Sequence, residues 1–316
     1  MFAQTLPNLD PWRFQLHPEV WILVAFFTGA YIYMAKVIGP HAVPAGQRAV
    51  SRKEIVCFVG AMALFWFGAD WPVHDIGEEY LYSVHMFQHM VFSYFVPPLA
   101  LMAIPTWMAR AVIGDGRAYR VFAWFSRPVI AGVLFNLIVM VSHIPMVVNA
   151  STENGVLHYT LHLLIVTLAL LMWTPVVGPF KELQMGAGGK CIYLFLLSVI
   201  PTVPAGWLVF AEGTVYEHYI NPVRVWGISV TNDQQLAGAV MKLGGAAFLW
   251  GVTIYIFFKK FGVGQETENT YVRKGQIPTA EITGHDDHTL TFDEVQAAFQ
   301  RSAPLLEAEQ APGEQR

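Results

Sequence analysis

His85 and His89 stand four residues apart, and so do His158 and His162. In a helix that spacing puts both rings of a pair on one face, a turn apart. Neutral imidazole is a common metal ligand. Methionine thioethers beside it, here Met86, Met90 and Met146, favour a soft ion such as Cu(I). His143 falls near the end of another apolar run. If these runs cross a membrane, the five rings share one layer, and ionisable groups inside a membrane are functional hypotheses by default. Three explanations stay open on spacing alone. One is a metal site, one a bis-histidine haem site with rings on facing helices and a slot between them, and one is interhelical hydrogen bonding without any ligand.

Composition says what carries these residues. Of 316 residues, 54% are hydrophobic and only 13% charged, outside the range of an ordinary soluble domain. A net charge of -4 gives no reason to expect a nucleic-acid partner. A bilayer core takes roughly 20 apolar residues per helix. Runs of that kind cover 20–39, 54–71, 82–104, 128–148, 158–178, 190–210 and 235–258, most of them closed by Gly-Pro, Pro or Asn. The expectation is an all-α integral membrane protein, a seven-helix bundle over 1–261. Residues 262–316 then form a polar, largely disordered tail. The N-terminus has no basic n-region before an h-region, so a cleaved signal peptide is not expected.

Basic residues set the orientation. Arg48, Arg52, Lys53, Arg110, Arg117, Arg120, Arg127, Lys181, Lys190, Lys259, Lys260, Arg273 and Lys274 all fall on one side of such a bundle. Arg13 and Arg224 face seven acids on the other. The positive-inside rule puts the N-terminus outside and the C-terminus in the cytoplasm. The five histidines then lie just beneath the outer surface, on spans three, four and five. His17, His74 and His218 fall in outer loops and read as bystanders; His285 and His288 sit in the tail.

Other polar groups have plainer readings. Pro97-Pro98 should kink span three, with neighbours re-satisfying the freed carbonyls. Lys242, deep in span seven, has Asp233 as its nearest acidic candidate. Asn232–Gln235 look like the cap of that span, and Asp233 could instead orient a ligating imidazole. Cys57 and Cys191 have no CxxC spacing and offer neither a metal knuckle nor a disulfide framework. No nucleophile elbow, P-loop, dinucleotide fingerprint or HExxH is present, so no enzymatic turnover is expected.

Four blocks carry a resemblance. HMFQHMVFSYFVPPLALMAIP from His85, SHIPMVVNA at 142–150, HYTLHLLIVTLALLMWTPVVGP at 158–179 and NDQQLAG at 232–238 follow one another in order. In that order they resemble the multi-pass CtaG family of cytochrome c oxidase assembly proteins. The resemblance covers about 80–240. It implies a bacterial cytoplasmic (inner) membrane protein that helps copper reach the binuclear centre of the oxidase catalytic subunit. Its partners would be oxidase subunits and a periplasmic copper donor. The match carries over to His85, Gln88, His89, His143, His158, His162, Asp233 and Gln234, with Gln88, Asp233 and Gln234 in supporting places. Ser142 and Leu161 depart from the family pattern beside two of the histidines.

Overall fold

The structure, a computed structural model, describes residues 10–220 and 224–275, with side chains through Lys260. Within the described residues it is all-helical, with no strand. Among the described residues, five helices are long and apolar enough to cross a membrane: α1 (Pro18–Ala42), α4 (Tyr82–Ala103), α9 (Gly155–Val177), α10 (Ala187–Val209) and α11 (Val230–Lys260). Two bent pairs raise the number to seven if each counts as one span. They are α2 (Arg52–Ala69) with α3 (Val73–Glu79), and α6 (Arg117–Phe125) with α7 (Pro128–Ser142). Shorter helices α5 (Thr106–Ile113) and α8 (Pro145–Glu153) complete the order.

Local sequence explains where these helices begin. Ser51 and Glu54 form a capping box at α2: the Glu54 amide donates to Ser51 Oγ and the Ser51 amide to Glu54 Oε2. Asn154 accepts the Val156 and Leu157 amides at α9. Prolines at the first positions of α1, α7 and α8 remove amides that no helical carbonyl could have paired.

α4 is the central helix, with 67% of its apolar window buried against 6% for α1. The exposed apolar side chains of α1, among them Trp21, Ile22, Phe26 and Phe27, suit a lipid environment. The core is built by Met90, Tyr94, Phe135, Met172, Trp173, Leu194 and Leu249. Pro97 cannot donate to the carbonyl of Ser93, and Trp173 Nε1 takes that oxygen at 2.9 Å. The ladder also widens to π geometry over Val91–Phe95, just ahead of the two prolines. A second π turn, Val240–Gly244, interrupts α11.

The two ends of the bundle are tied separately. At one, Thr106 Oγ1 donates to the carbonyl of Pro179, Trp107 Nε1 to that of Ala49, and Arg110 pairs with Asp115 and Glu182. At the other, the segment around Tyr216–Tyr219 bonds to α3 and to His143.

Several expected boundaries move. Span two stops at Ala69, and α3 follows it after a bend of 40°. The fourth run does not continue to 148: α7 ends at Ser142, because Pro145 starts a new helix. The last span starts at Val230, capped by Ser229 Oγ rather than by Asn232–Gln235. Lys242 does not reach Asp233; its ammonium donates to the Ser198 carbonyl and to Thr202 Oγ1 on α10. The final α-helical stretch, Gly245–Gly275, runs past Gly262. The expected tail beyond it, with His285 and His288, lies outside the described residues.

Candidate metal centre

α4 and α9 present their histidine pairs to each other. Ring centroids are 4.5 Å apart for His85 and His89, 4.4 Å for His158 and His162, and 5.0 Å across the helices from His89 to His162. One ring nitrogen from each of His85, His89 and His162 falls within 4.8 Å of the others.

A carboxylate joins them. Glu78 Oε1 accepts from His85 Nδ1 at 3.1 Å, and lies 3.0 Å from His158 Nε2 and 3.8 Å from His162 Nε2. The His158 approach is close but off the hydrogen-bond line, and among the described residues His158 Nε2 has no aligned partner. Glu78, His158 and His162 thus form a second possible ligand set that shares His162 with the first. With Nδ1 of His85 donating to Glu78, its Nε2 keeps a free lone pair; a carboxylate behind the ring orients it and raises its basicity.

Glu78 reaches this place because α3 packs directly on the first turn of α4. Gly77 makes the approach possible: a Cβ there would stand 3.1 Å from the His85 amide nitrogen. Tyr219 Oη donates to the Gly77 carbonyl, and His218 Nε2 to that of Glu78 at 3.0 Å. His218 is therefore a support of the site rather than a bystander. Tyr82, Tyr216 and Tyr219, all fully buried, pack together beside it. A cavity of about 30 Å³ lies among His85, His89, His143, His158 and His162. Among the described residues, the buried Nε2 of His89 has no hydrogen-bond partner. An unpaired buried nitrogen beside other imidazole nitrogens is what a soft or borderline metal ion would satisfy.

The remaining expected residues are placed as follows. His143 lines the cavity but stands to one side, its centroid 6.2 Å from that of His89, with Nε2 3.2 Å from Met86 Sδ. It terminates α7 instead of projecting from within a helix. Met90 is buried toward the core, whereas Met146 is 76% exposed and contributes nothing to the site.

Gln88 donates to the Gly68 carbonyl at 2.8 Å and meets His74 Nδ1 at 3.1 Å, tying α4 to the end of α2. Asp233 caps a helix, but not its own. Fully buried, it accepts from the amides of Tyr82 and Ser83 and from Ser83 Oγ, fixing the start of α4. Gln234 accepts from the Val215 and Tyr216 amides and donates to the Tyr216 carbonyl. Tyr216 Oη in turn donates to the His143 carbonyl at 2.9 Å. None of these three is hydrogen-bonded to a site imidazole; they hold the backbone that carries the rings.

Sequence reasoning missed Glu78. It sits seven residues before His85, across the non-helical Tyr80–Leu81 junction, so no helical spacing links the two.

The family model described as cytochrome c oxidase caa3 assembly factor matches residues 29–261, which takes in every residue of this site. No curated protein and no solved structure matches the chain.

Proposed function

Because the chain belongs to the cytochrome c oxidase caa3 assembly factor family, we propose that it serves oxidase assembly as a copper carrier. It holds Cu(I) among His85, His89, His158, His162 and Glu78 and passes it to an oxidase subunit. The carrying observation is that four imidazoles and a carboxylate form two overlapping groups, beside which His89 Nε2 is buried with no hydrogen-bond partner among the described residues. The role is binding and exchange, with no turnover chemistry of its own.

The donor set supports this reading. Imidazole nitrogens suit copper, and a set larger than Cu(I) needs lets the ion move between ligands as a recipient approaches. A cavity of about 30 Å³ among the rings suits an ion. Orientation follows from charge. Arg110, Arg117, Arg120 and Lys181 gather at the opposite end of the bundle, while Asp70, Asp75, Glu78 and Glu79 lie at the histidine end. The positive-inside rule then turns the histidines toward the outside of a bacterial cytoplasmic membrane. There a periplasmic donor could load the site.

The test is Cu(I) uptake by the purified full chain in detergent, against a chromogenic Cu(I) chelator. Uptake is expected in the wild type and strongly reduced when His85 and His89 are both replaced by Ala. In cells, that variant should leave an oxidase that contains haem but lacks binuclear copper. Folded wild-type protein that takes up no Cu(I) refutes the reading. Histidine variants that lose protein rather than copper would instead mark the cluster as a structural hydrogen-bond network.

A further inference from the structure

A second group of donors lies deeper along α4, toward the core. His143 Nδ1 is 2.6 Å from the carbonyl of Val139, an oxygen that can only accept. The proton of the neutral ring is therefore on Nδ1, and Nε2 carries a lone pair. That lone pair faces the thioether of Met86 at 3.2 Å. Sulfur here has no proton to give, so two Lewis bases point at each other in a buried space. Nothing in that pair is a hydrogen bond; a shared soft cation would turn the contact from repulsive to attractive.

The space beyond them is lined in the same chemical sense. A second cavity of about 30 Å³ is bounded by Met86, Met90 and Met241, with His89 and His143 on its wall. The Met90 side chain lies against Gly244 and Gly245 of α11, where a Cβ would come within 3.5 Å of Met90 Cε and 3.7 Å of its Sδ. His89 borders both cavities. The upper group, with its carboxylate, is a nitrogen and oxygen set. The lower one offers thioethers and a single imidazole pair, the softer environment.

We propose that His143 and Met86, with Met90 or Met241 completing the set, form a second and softer position selective for Cu(I), and that His89 is the ligand shared with the Glu78 cluster. This rests on the copper-carrier reading and refines it: cargo has two adjacent positions, and a hand-over between them needs only ligand exchange at His89, with no change of oxidation state.

The experiment is copper X-ray absorption together with chelator-competed Cu(I) stoichiometry on the full chain in lipid nanodiscs. Wild type, M86L/M241L and E78Q/H158A are compared, with circular dichroism as a control for folding. The wild type should show sulfur as well as nitrogen scattering and bind a second equivalent. M86L/M241L, which removes Met86 from either version of the set, should lose one equivalent and most of the sulfur signal while keeping a nitrogen-bound ion. E78Q/H158A should keep the sulfur signal. A wild type that binds copper through nitrogen and oxygen alone overturns the second position and leaves the Glu78 cluster standing. So does M86L/M241L with an unchanged spectrum and stoichiometry. A wild type that binds no copper overturns both.

Discussion

Asp233 offers the sharpest test of how the site is held, because it touches none of the imidazoles. Its carboxylate, fully buried, accepts the amides of Tyr82 and Ser83 at 2.8 and 3.1 Å and Ser83 Oγ at 2.5 Å. Asp233→Ala leaves two buried amides without acceptors. At about 1–3 kcal/mol for each such group, with some relaxation, the loss is about 2–4 kcal/mol. Asp233→Asn keeps one acceptor oxygen, sets an NH2 against the amide the other oxygen served, and gives up the charge that complements the helix N-terminus, a loss of about 1–3 kcal/mol. The first turn of α4 carries His85 three residues after Tyr82, so fraying there also misplaces a ligand. Copper affinity should fall by about tenfold or more, as for other groups that orient ligands from behind. Thermal unfolding in detergent and Cu(I) competition, run on the same preparations, read both effects. The order expected is wild type above D233N above D233A in each. D233A that melts with the wild type would show that this carboxylate does not hold the start of the helix.

Further expectations concern the site's supports and the far core. Glu78→Gln should leave the protein folded and weaken Cu(I) binding by about 10–100-fold in the same competition assay; unchanged affinity would remove Glu78 from the site. Gly77→Ala puts a methyl 3.1 Å from the His85 amide, so it should cost about 1–3 kcal/mol in thermal stability and lower copper capacity together. Trp173→Phe strips the Ser93 carbonyl of its donor and should destabilise by about 1 kcal/mol without touching copper binding. His17 is pH-sensitive: burial opposes its charged form, but hydrogen bonds and charge from Asp75, and then Glu19, outweigh that and raise its pKa. The stabilisation is full below the ordinary histidine value of about 6.5 and is lost as pH rises through the higher folded value. The protection factors of amides in the segment just before α1, beside the His74 ring, should therefore fall across that window once intrinsic exchange is divided out, and His17→Gln should abolish the fall. Protection that grows with pH would contradict it.

Much of the scaffold and the convergence of four histidines were legible without coordinates. Apolar runs of bilayer length mark the membrane helices, and two i,i+4 pairs survive into space because helical phase alone decides them. What could not be read depends on chain reversals. Glu78 enters the cluster because α3 turns back onto α4 after a non-helical break, which no periodicity encodes. Asp233 looks like a cap for its own helix and serves another, since a buried carboxylate goes wherever unpaired amides are nearest. Lys242 found oxygens on α10 instead of the acid closest in sequence. His143 seemed to belong inside a helix, yet Pro145 ends that helix first and frees the ring to meet Met86.

The π turn at Val91–Phe95 has a consequence for the aim of the site. Each residue advances an α-helix by about 100°. A wide turn holds one residue more than the ladder needs, so it sets the angular phase between the half of α4 that carries His85 and His89 and the half that packs on Trp173. Deleting a single residue from Val91–Phe95 would restore regular pairing and nearly keep that phase, whereas returning all five residues to α geometry would swing both imidazoles about 100° away from α9. Lining residues unchanged, the cluster would be dismantled by rotation alone.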